Sequence, residues 1–268
     1  MLLGGCLLTD MEKGDTTGII IQARMGATRL PGKMVRPFYK EKGVLELLLQ
    51  RLKEHFARKQ EVVMLVATTV NPSDNLIEEI GKRCGFPVFR GSEEDVLRRF
   101  IDAASYSGAG KVIRICADNP FLDMDAVEML AGRINAQHHD YIAFSTSQGV
   151  PTIKTHWGFW PEAVRSDALK RVAEATTEEL YREHVTNYIY THPDGFDIDL
   201  IPIPREVEEN SNIRLTLDTP EDFEMQCTIY ARCMERYGRI DIQSVLETLE
   251  AFPGFYEQMK QQIRLNIK

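Results

Sequence analysis

The sequence predicts an α/β fold, a three-layer sandwich built on a mostly parallel central sheet. Apolar runs of strand length alternate with amphipathic segments at intervals of roughly 20 to 25 residues, which is typical of βαβ units. The runs at residues 19–21, 62–68 and 111–116 are nearly continuous in apolar character, as expected for strands covered on both faces by helices. With 268 residues, 43% of them hydrophobic, the chain can bury a large core.

The first half of the chain carries clear helix and turn signals. Leucines at helical spacing predict an amphipathic helix over residues 44–56. A turn and cap at residues 71–74 predict a second helix, ending near Arg83. A short strand is expected at residues 88–89, before a glycine.

Two helix starts are marked by capping residues. Ser92, followed three residues later by Asp95, matches a capping box and predicts a helix over residues 93–105. Asp123 suits the N-cap of a helix that begins at Met124.

Charge and cysteine content narrow the functional class. A net charge of −8 and a pI near 5.4 disfavour nucleic acid as the main partner. The five cysteines are scattered, odd in number and without a CxxC pair, which predicts reduced thiols and a cytoplasmic location. Apolar runs stay well short of the roughly 18 residues needed to span a bilayer, so no membrane association is expected.

The expected organisation is an N-terminal extension at residues 1–17 followed by a single domain at residues 18–268. The pattern loosens at about residues 145–200, and we expect this excursion to serve the substrate or a second subunit. Arg182 and His184 are its chemical candidates. Since residues 176–190 have helical spacing, His184 is expected to be a packed side chain rather than a catalytic base.

Residues 19–33, IIIQARMGATRLPGK, combine a strand with a glycine-punctuated cationic loop. Residues 19–40 contain no acid, and they contain the cations Arg24, Arg29, Lys33, Arg36 and Lys40. Such a loop can neutralise a polyphosphate with backbone amides, planar arginines and a lysine. The segment matches neither GxxxxGK[ST] nor GxGxxG. A phosphate site and a solvated basic turn therefore both remain open.

Two aspartates are candidates for holding a divalent cation. Asp118 follows the strand at residues 111–116, and ligands of parallel sheets lie beyond the carboxyl ends of the strands. Mg²⁺ commonly takes one or two carboxylates from a protein. Asp218 follows a strand-like segment at residues 214–217, and Pro220 after it fits the start of a helix, so by itself Asp218 is only a residue before a capped helix.

Several motifs together resemble the nucleotidyltransferases of GT-A-like, Rossmann-like fold, specifically the cytidylyltransferases of the spore-coat polysaccharide (SpsF) type, which are kin to the CMP-Kdo and CMP-sialate synthetases. The similarity covers about residues 18–235. Its motifs, in order, are IIIQARMGATRLPGK, VATTVNPSDN, FRGSEEDVLRRF, VIRICADNPFLD, REHVTNYI and LTLDTPEDFE.

This resemblance implies transfer of CMP from CTP to a small-molecule acceptor, with Mg²⁺ as cofactor and pyrophosphate as product, in polysaccharide or glycoconjugate biosynthesis. It implies catalytic roles for Arg24, Lys33, Asp118 and Asp218, the two aspartates being the metal ligands. It implies nucleotide contacts at Ala23, Arg24, Met25, Gly26, Arg29, Lys33, Arg90, Gly91, Ser92 and Asp118. It further implies acceptor contacts at Glu162, Arg182 and His184, and a homodimer.

The chain departs from the family pattern at three places. Ala117 stands where glycine usually precedes the first metal aspartate, and residues 26–28 lack the usual serine. Residues 151–164 match the acceptor-facing strand poorly, so a sugar acid, a sugar phosphate and another phosphorylated metabolite all remain open as acceptors.

A GT-A glycosyltransferase using a nucleotide sugar and a non-catalytic nucleotide-binding module are the competing functions.

Overall fold

A computed structural model describes residues 16–58 and 62–266. Residues 1–15 of the expected N-terminal extension lie outside the described residues, and Thr16 and Thr17 already belong to the first strand. The strands are β1 (Thr16–Gln22), β2 (Val62–Thr69), β3 (Val88–Gly91), β4 (Ala109–Cys116), β5 (Tyr141–Ser145), β6 (Glu162–Arg165) and β7 (Ile198–Pro202).

The helices lie between and after these strands. They are α1 (Val44–Phe56), α2 (Asn75–Cys84), α3 (Val96–Ser107), α4 (Met124–Ala136), α5 (Ser166–Ala175), α6 (Glu179–Glu183), α7 (Asn187–Thr191), α8 (Arg205–Glu208), α9 (Pro220–Tyr237), α10 (Ile242–Ala251) and α11 (Gly254–Leu265). Among the described helices, none combines the length and apolar character required to cross a membrane.

The strands form one sheet in the order β3-β2-β1-β4-β6-β5-β7. The pairs of β1 with β2 and β4, of β2 with β3 and of β5 with β7 are parallel, whereas β6 runs antiparallel to β4 and β5. Ile19, Ile20 and Ile21 of the central strand are fully buried and alternate between the two faces of the sheet. One face packs against α1, α4 and the C-terminal helices, and the other against α3 and α5, which confirms the three-layer α/β class.

Most local predictions agree with these bounds, but the start of α3 was predicted three residues too early. Asp95 caps α3 by accepting from the backbone N–H of Arg98 at 2.7 Å, and the helix begins at Val96. The Ser92 hydroxyl accepts from the Asp95 N–H at 3.0 Å, so Ser92 shapes the preceding turn instead.

The second half departs further from the prediction. The single helix expected over residues 176–190 is broken at His184, whose φ of −101° and ψ of 76° are not helical, leaving the short helices α6 and α7. The strand expected at residues 214–217 is not part of the described sheet. The loosely patterned excursion instead supplies β6, which lies between β4 and β5.

Candidate active site

The cationic loop after β1 is fixed by the strand and turn beside it. The N–H of Ala23 donates to the carbonyl of Ala67 on β2 at 3.2 Å. The N–H of Met25 donates to the Asp74 carboxylate at 2.7 Å. Gly32 adopts a φ of +69°, a left-handed conformation that favours glycine, and turns the chain back toward the sheet. The amides of Ala23 and Met25 are therefore used to hold the loop.

Asp74 is the buried anchor of that loop. Its carboxylate also accepts from the hydroxyls of Thr68 and Thr69, at 2.9 and 2.5 Å. Burial by itself would raise the pKa of Asp74, but hydrogen bonds from Thr69, the Met25 amide and Thr68 outweigh it and hold this pKa below its usual value. Asp74 is thus an ionised acceptor that fixes where the loop begins.

Three cations of the loop line one cavity of about 220 Å³. Lys33 is nearly buried, at 8% exposure, and its Nζ lies 2.8 Å from Asp118 and 2.6 Å from the carbonyl of Leu217. Arg29 lies 3.6 Å from the Asp218 carboxylate. Arg24 is half exposed, 3.8 Å from Glu183 on α6.

Asp118 and Asp218 meet at this cavity although they are a hundred residues apart. Both line the 220 Å³ cavity and also an adjoining cavity of about 550 Å³, and Cys116 is common to the two as well. The structure therefore brings the cationic loop after β1 and Asp118 after β4 to one edge of the sheet, as expected for neighbouring parallel strands, and Asp218 lies at the same cavity. The cavity of about 220 Å³ is hereafter called the inner cavity, and the adjoining one of about 550 Å³ the outer cavity.

Asp218 is placed by a close packing of two irregular segments. Gly158 has a φ of +69°, and a Cβ there would lie 2.8 Å from the carbonyl oxygen of Leu215. The N–H of Leu215 donates to the carbonyl of His156 at 2.7 Å. The fully buried Arg214 then donates to Asp218 at 3.1 Å and to Asp222 at 2.8 Å. Side-chain hydrogen bonds and the backbone bond from Leu215 to His156, rather than pairing within the sheet, therefore hold residues 214–218.

The donor set at the aspartate pair suits a hard divalent cation. Two carboxylates face one cavity whose remaining charged lining is cationic, and Mg²⁺ typically takes one or two carboxylates and completes its shell with phosphate oxygens and water. Asp118 and Asp218 would hold such an ion between them.

Comparison with known proteins identifies the family. Residues 18–264 match the family model described as cytidylyltransferase. The chain belongs to the cytidylyltransferase family.

Individual relatives agree with this assignment. The spore coat polysaccharide biosynthesis protein SpsF of Bacillus subtilis is 33% identical over 219 residues, covering 81% of this chain and 87% of SpsF. A cytidylyltransferase structure from Leptospira borgpetersenii superposes with a TM-score of 0.75 at 28% identity, covering 90% of this chain and 96% of that one. A CMP-Kdo synthetase complexed with CTP shares the fold, with a TM-score of 0.58 at 16% identity over 81% of this chain and 98% of that one. The chain is thus a nucleotidyltransferase of the cytidylyltransferase family.

The outer cavity of this cytidylyltransferase is lined by both apolar and polar side chains. Trp160 and Leu180 line it, as do the exposed Lys154 and His184. Two buried polar atoms in its lining residues, Arg114 Nε and Thr152 Oγ1, have no hydrogen-bond partner among the described residues.

Glu162 is not at the cavity surface where the resemblance places an acceptor contact. It is 2% exposed and accepts from Arg114 at 2.6 Å, from Thr186 at 3.0 Å and from the hydroxyl of Tyr141. Burial and the nearby Glu162 raise the pKa of Tyr141, which keeps its hydroxyl protonated as the donor. Glu162 therefore orients Arg114 behind the cavity wall.

Arg182 and His184 differ in their suitability for binding an acceptor. Arg182 is held by Asp95 at 3.2 Å and by the carbonyls of Ala173 and Thr176, and it anchors α6 to its neighbours. The prediction that His184 is packed is wrong: because the helix breaks there, its side chain is exposed and lines the outer cavity.

Of the three residues expected near the base, Arg90 and Gly91 end strand β3 and Ser92 follows it. The Arg90 guanidinium donates to the carbonyls of Thr69 and Asn71 and pairs with Glu78 at 2.8 Å. These three residues do not occur among the described residues that line the inner and outer cavities. Met25 and Gly26 likewise sit outside that lining, whereas Ala27 and Thr28 belong to it.

Sequence reasoning missed the residues that position the site rather than form it. Asp74, Gln22, Arg114 and Arg214 act through partners distant in the chain, so local periodicity carries no signal for them. The sequence carries only a weak signal for one of them, the charge of Arg114 between the apolar residues of VIRIC.

Proposed function

We propose that this enzyme transfers CMP from CTP to a hydroxyl of a small anionic acceptor, a sugar acid or a phosphorylated metabolite, and releases pyrophosphate. The observation that carries the proposal is the convergence of Lys33, Asp118 and Asp218 on one cavity lined by arginines. The CTP-bound CMP-Kdo synthetase of the same fold supports the nucleotide, and SpsF supports a role in polysaccharide synthesis.

The residues of the inner cavity suit the leaving group. When the acceptor oxygen forms its bond to the α-phosphorus, the bond from that phosphorus to the bridging oxygen of the β-phosphate breaks. Charge then grows on pyrophosphate. Arg24, Arg29 and Lys33 surround the space in which it would lie, and preorganised cations of this kind stabilise developing charge.

A divalent cation held by Asp118 and Asp218 would supply further charge neutralisation on the phosphate oxygens. Because both carboxylates line the outer cavity as well, they would hold the ion on the side from which the acceptor would approach. Lys33, bound to Asp118 and to the Leu217 carbonyl, fixes their spacing.

The outer cavity supports an anionic acceptor. Lys154 contributes positive charge and His184 contributes a ring nitrogen, and both side chains are exposed. We further propose a cytoplasmic location, on the basis of the four described cysteines being free thiols. We also propose a homodimer, on the basis of the resemblance to the CMP-Kdo and CMP-sialate synthetases alone.

The direct test is pyrophosphate release. Each of the four ribonucleoside triphosphates is incubated with the enzyme, Mg²⁺ and a panel of sugar acids and sugar phosphates. We expect release from CTP only, and only with an acceptor present. Release of a nucleoside diphosphate from an activated sugar, or CTP binding without turnover against the whole panel, would contradict the proposal.

The metal roles are tested by Asp118→Asn and Asp218→Asn. Each change removes one charged ligand, and we expect turnover to fall about 100-fold or more while the far-UV circular dichroism is unchanged. Asp125→Asn is the matched control, because Asp125 is an exposed carboxylate at the start of α4 and outside both cavities. Near-normal turnover in either test variant would exclude that residue as a metal ligand.

A further inference from the structure

A network of hydrogen-bonded side chains, most of them buried, crosses four strands of the sheet next to the site. The Tyr141 hydroxyl on β5 donates to Glu162 on β6, and Arg114 on β4 donates to Glu162 at 2.6 Å. Arg114 also donates to Oε1 of Gln22, the last residue of β1, at 3.3 Å. The hydrogen-bond network therefore ends at the side-chain amide of Gln22, at the carboxyl end of the central strand.

The chemistry of arginine determines which way that amide points. A guanidinium carries only donors, so the Gln22 atom that faces Arg114 must be the carbonyl oxygen. The amide nitrogen, with two N–H donors, is then the end that Arg114 does not engage. Glu162 is saturated by three donors and holds Arg114 in place, and Phe100 packs 5.7 Å from the guanidinium.

The position of Gln22 is as informative as its orientation. Gln22 lines the inner cavity and Arg114 lines the outer cavity, so their hydrogen bond spans the boundary between the two. Asp118 and Asp218 lie at the same boundary, since both line both cavities. If triphosphate fills the inner cavity and acceptor the outer one, the reacting phosphorus lies at that boundary.

We propose that the Gln22 amide nitrogen donates a hydrogen bond to a non-bridging oxygen of the α-phosphate, and that Arg114 is a positioning residue for this amide. The inference rests on the proposed function, because it needs the triphosphate in the inner cavity. It adds to the cationic loop a neutral donor aimed at the phosphorus that is attacked rather than at the leaving group.

Two substitutions separate this role from a structural one. Gln22→Met keeps the length of the side chain and removes the donor. Gln22→Glu keeps a partner for Arg114, and strengthens it as an ion pair, but also removes the donor and adds negative charge beside the phosphate. A structural role predicts that Gln22→Glu retains activity, whereas the donor role predicts that it is the more damaging change.

The measurement is kcat and KM for pyrophosphate release, with the CTP dissociation constant from calorimetry. We expect Gln22→Met to lower kcat about 10- to 100-fold and to change the CTP dissociation constant less than about threefold, since the cations of the inner cavity would carry most of the triphosphate binding, whereas the amide would contact the phosphorus that reacts. Gln22→Glu should lose more. Gln50→Met is the matched control, because Gln50 accepts from Lys42 at 3.0 Å outside both cavities.

A double-mutant cycle tests the positioning role of Arg114. Arg114→Lys retains a positive charge beside Glu162 but lacks the second guanidinium nitrogen, which donates to Gln22. If Arg114 acts through the amide, Arg114→Lys combined with Gln22→Met should lose little more than Gln22→Met alone. Fully additive losses in kcat would overturn that role.

The outcomes distinguish this inference from the proposed function. A wild-type enzyme that releases no pyrophosphate overturns both. A wild-type enzyme that is active, together with a Gln22→Met variant as active as Gln50→Met or a Gln22→Glu variant close to wild type, overturns only the donor role. A loss confined to the CTP dissociation constant overturns the placement at the α-phosphate.

Discussion

At the scale of single residues, the site depends on buried charges whose partners come from distant parts of the chain. Asp74 anchors the cationic loop through the Met25 amide, and the fully buried Arg214 donates to the ring of His156 as well as to Asp218 and Asp222. Removing one member of such a set leaves the others desolvated and unpaired, which typically costs more than the bond itself contributes.

Asp74 makes the stability of the enzyme depend on acid pH. Its folded pKa is below the usual value, so its contribution is complete above the unfolded pKa of about 4 and is lost as the pH falls through the folded pKa. We expect Asp74→Asn to lower the free energy of unfolding at pH 7 by about 2 kcal/mol.

The check is urea denaturation of both proteins between pH 7 and pH 3. The stability difference between wild type and Asp74→Asn should shrink as the pH is lowered, because the wild-type carboxylate becomes protonated. A difference that stays constant over this range would contradict the assignment of Asp74 as the ionised anchor.

The sequence allowed the proximity of two charged residues to be predicted, because each follows a recognisable strand. Lys33 stands in the loop after β1 and Asp118 in the turn after β4, and neighbouring parallel strands bring these two connections to one edge of the sheet, where the side chains lie 2.8 Å apart. Gln22 and Arg114 looked like ordinary strand residues, because the bond that joins them depends on a register that the sequence does not state.

At the scale of elements, prediction followed the strength of local signals. The amphipathic helix α1 has the predicted bounds, and Thr219 and Pro220 begin α9 as expected, with a capping box completed by Asp222. The prediction of a single helix over residues 176–190 was wrong, because hydrophobic periodicity does not detect the break in backbone conformation at His184. Strand β6 was missed because its four residues are too few for a periodic pattern.

The irregular segment before α9 is the element most sensitive to a small change. A methyl group at Gly158 would meet the carbonyl of Leu215 and would also strain a left-handed backbone. We expect Gly158→Ala to destabilise the enzyme by about 2 kcal/mol and to lower kcat/KM about tenfold by displacing Asp218.

Gly132→Ala provides the control for that prediction. Gly132 lies inside α4, and a Cβ there would meet nothing within 4 Å, so alanine should be neutral or stabilise by up to about 1 kcal/mol. Thermal unfolding and pyrophosphate release of both variants are the measurements. Equal behaviour of the two variants would show that the packing at Gly158 does not position Asp218.

At the scale of the whole molecule, the fold class was predictable because strand and helix alternate so regularly in the first 136 residues. The order of strands beyond β4 was not, since the reversed strand β6 pairs β4 with a segment from the excursion. The position of Asp218 also required the three-dimensional structure, because no strand delivers it to the site.

Lys33 joins three segments that are far apart in sequence, its own loop, the turn at Asp118 and the carbonyl of Leu217. We expect Lys33→Ala to weaken CTP binding about 10- to 100-fold, because a cation of the inner cavity is removed. The rise in melting temperature caused by saturating CTP and Mg²⁺ should shrink accordingly.

Lys82→Ala is the control for this change, because Lys82 is exposed and pairs only with Glu78 one turn earlier among the described residues. It should bind CTP as wild type does. Undiminished CTP affinity in Lys33→Ala would show that this lysine only ties the segments together.

The reversed strand β6 also has a consequence for biosynthesis. Strands β1 to β4 are all made before it, yet β4 receives its second neighbour only when residues 162–165 have left the ribosome. Until then the nascent chain presents an open sheet edge flanked by the apolar side chains of Val112 and Ile113. During this interval of translation the nascent chain is the more prone to associate with other chains through the open edge of β4.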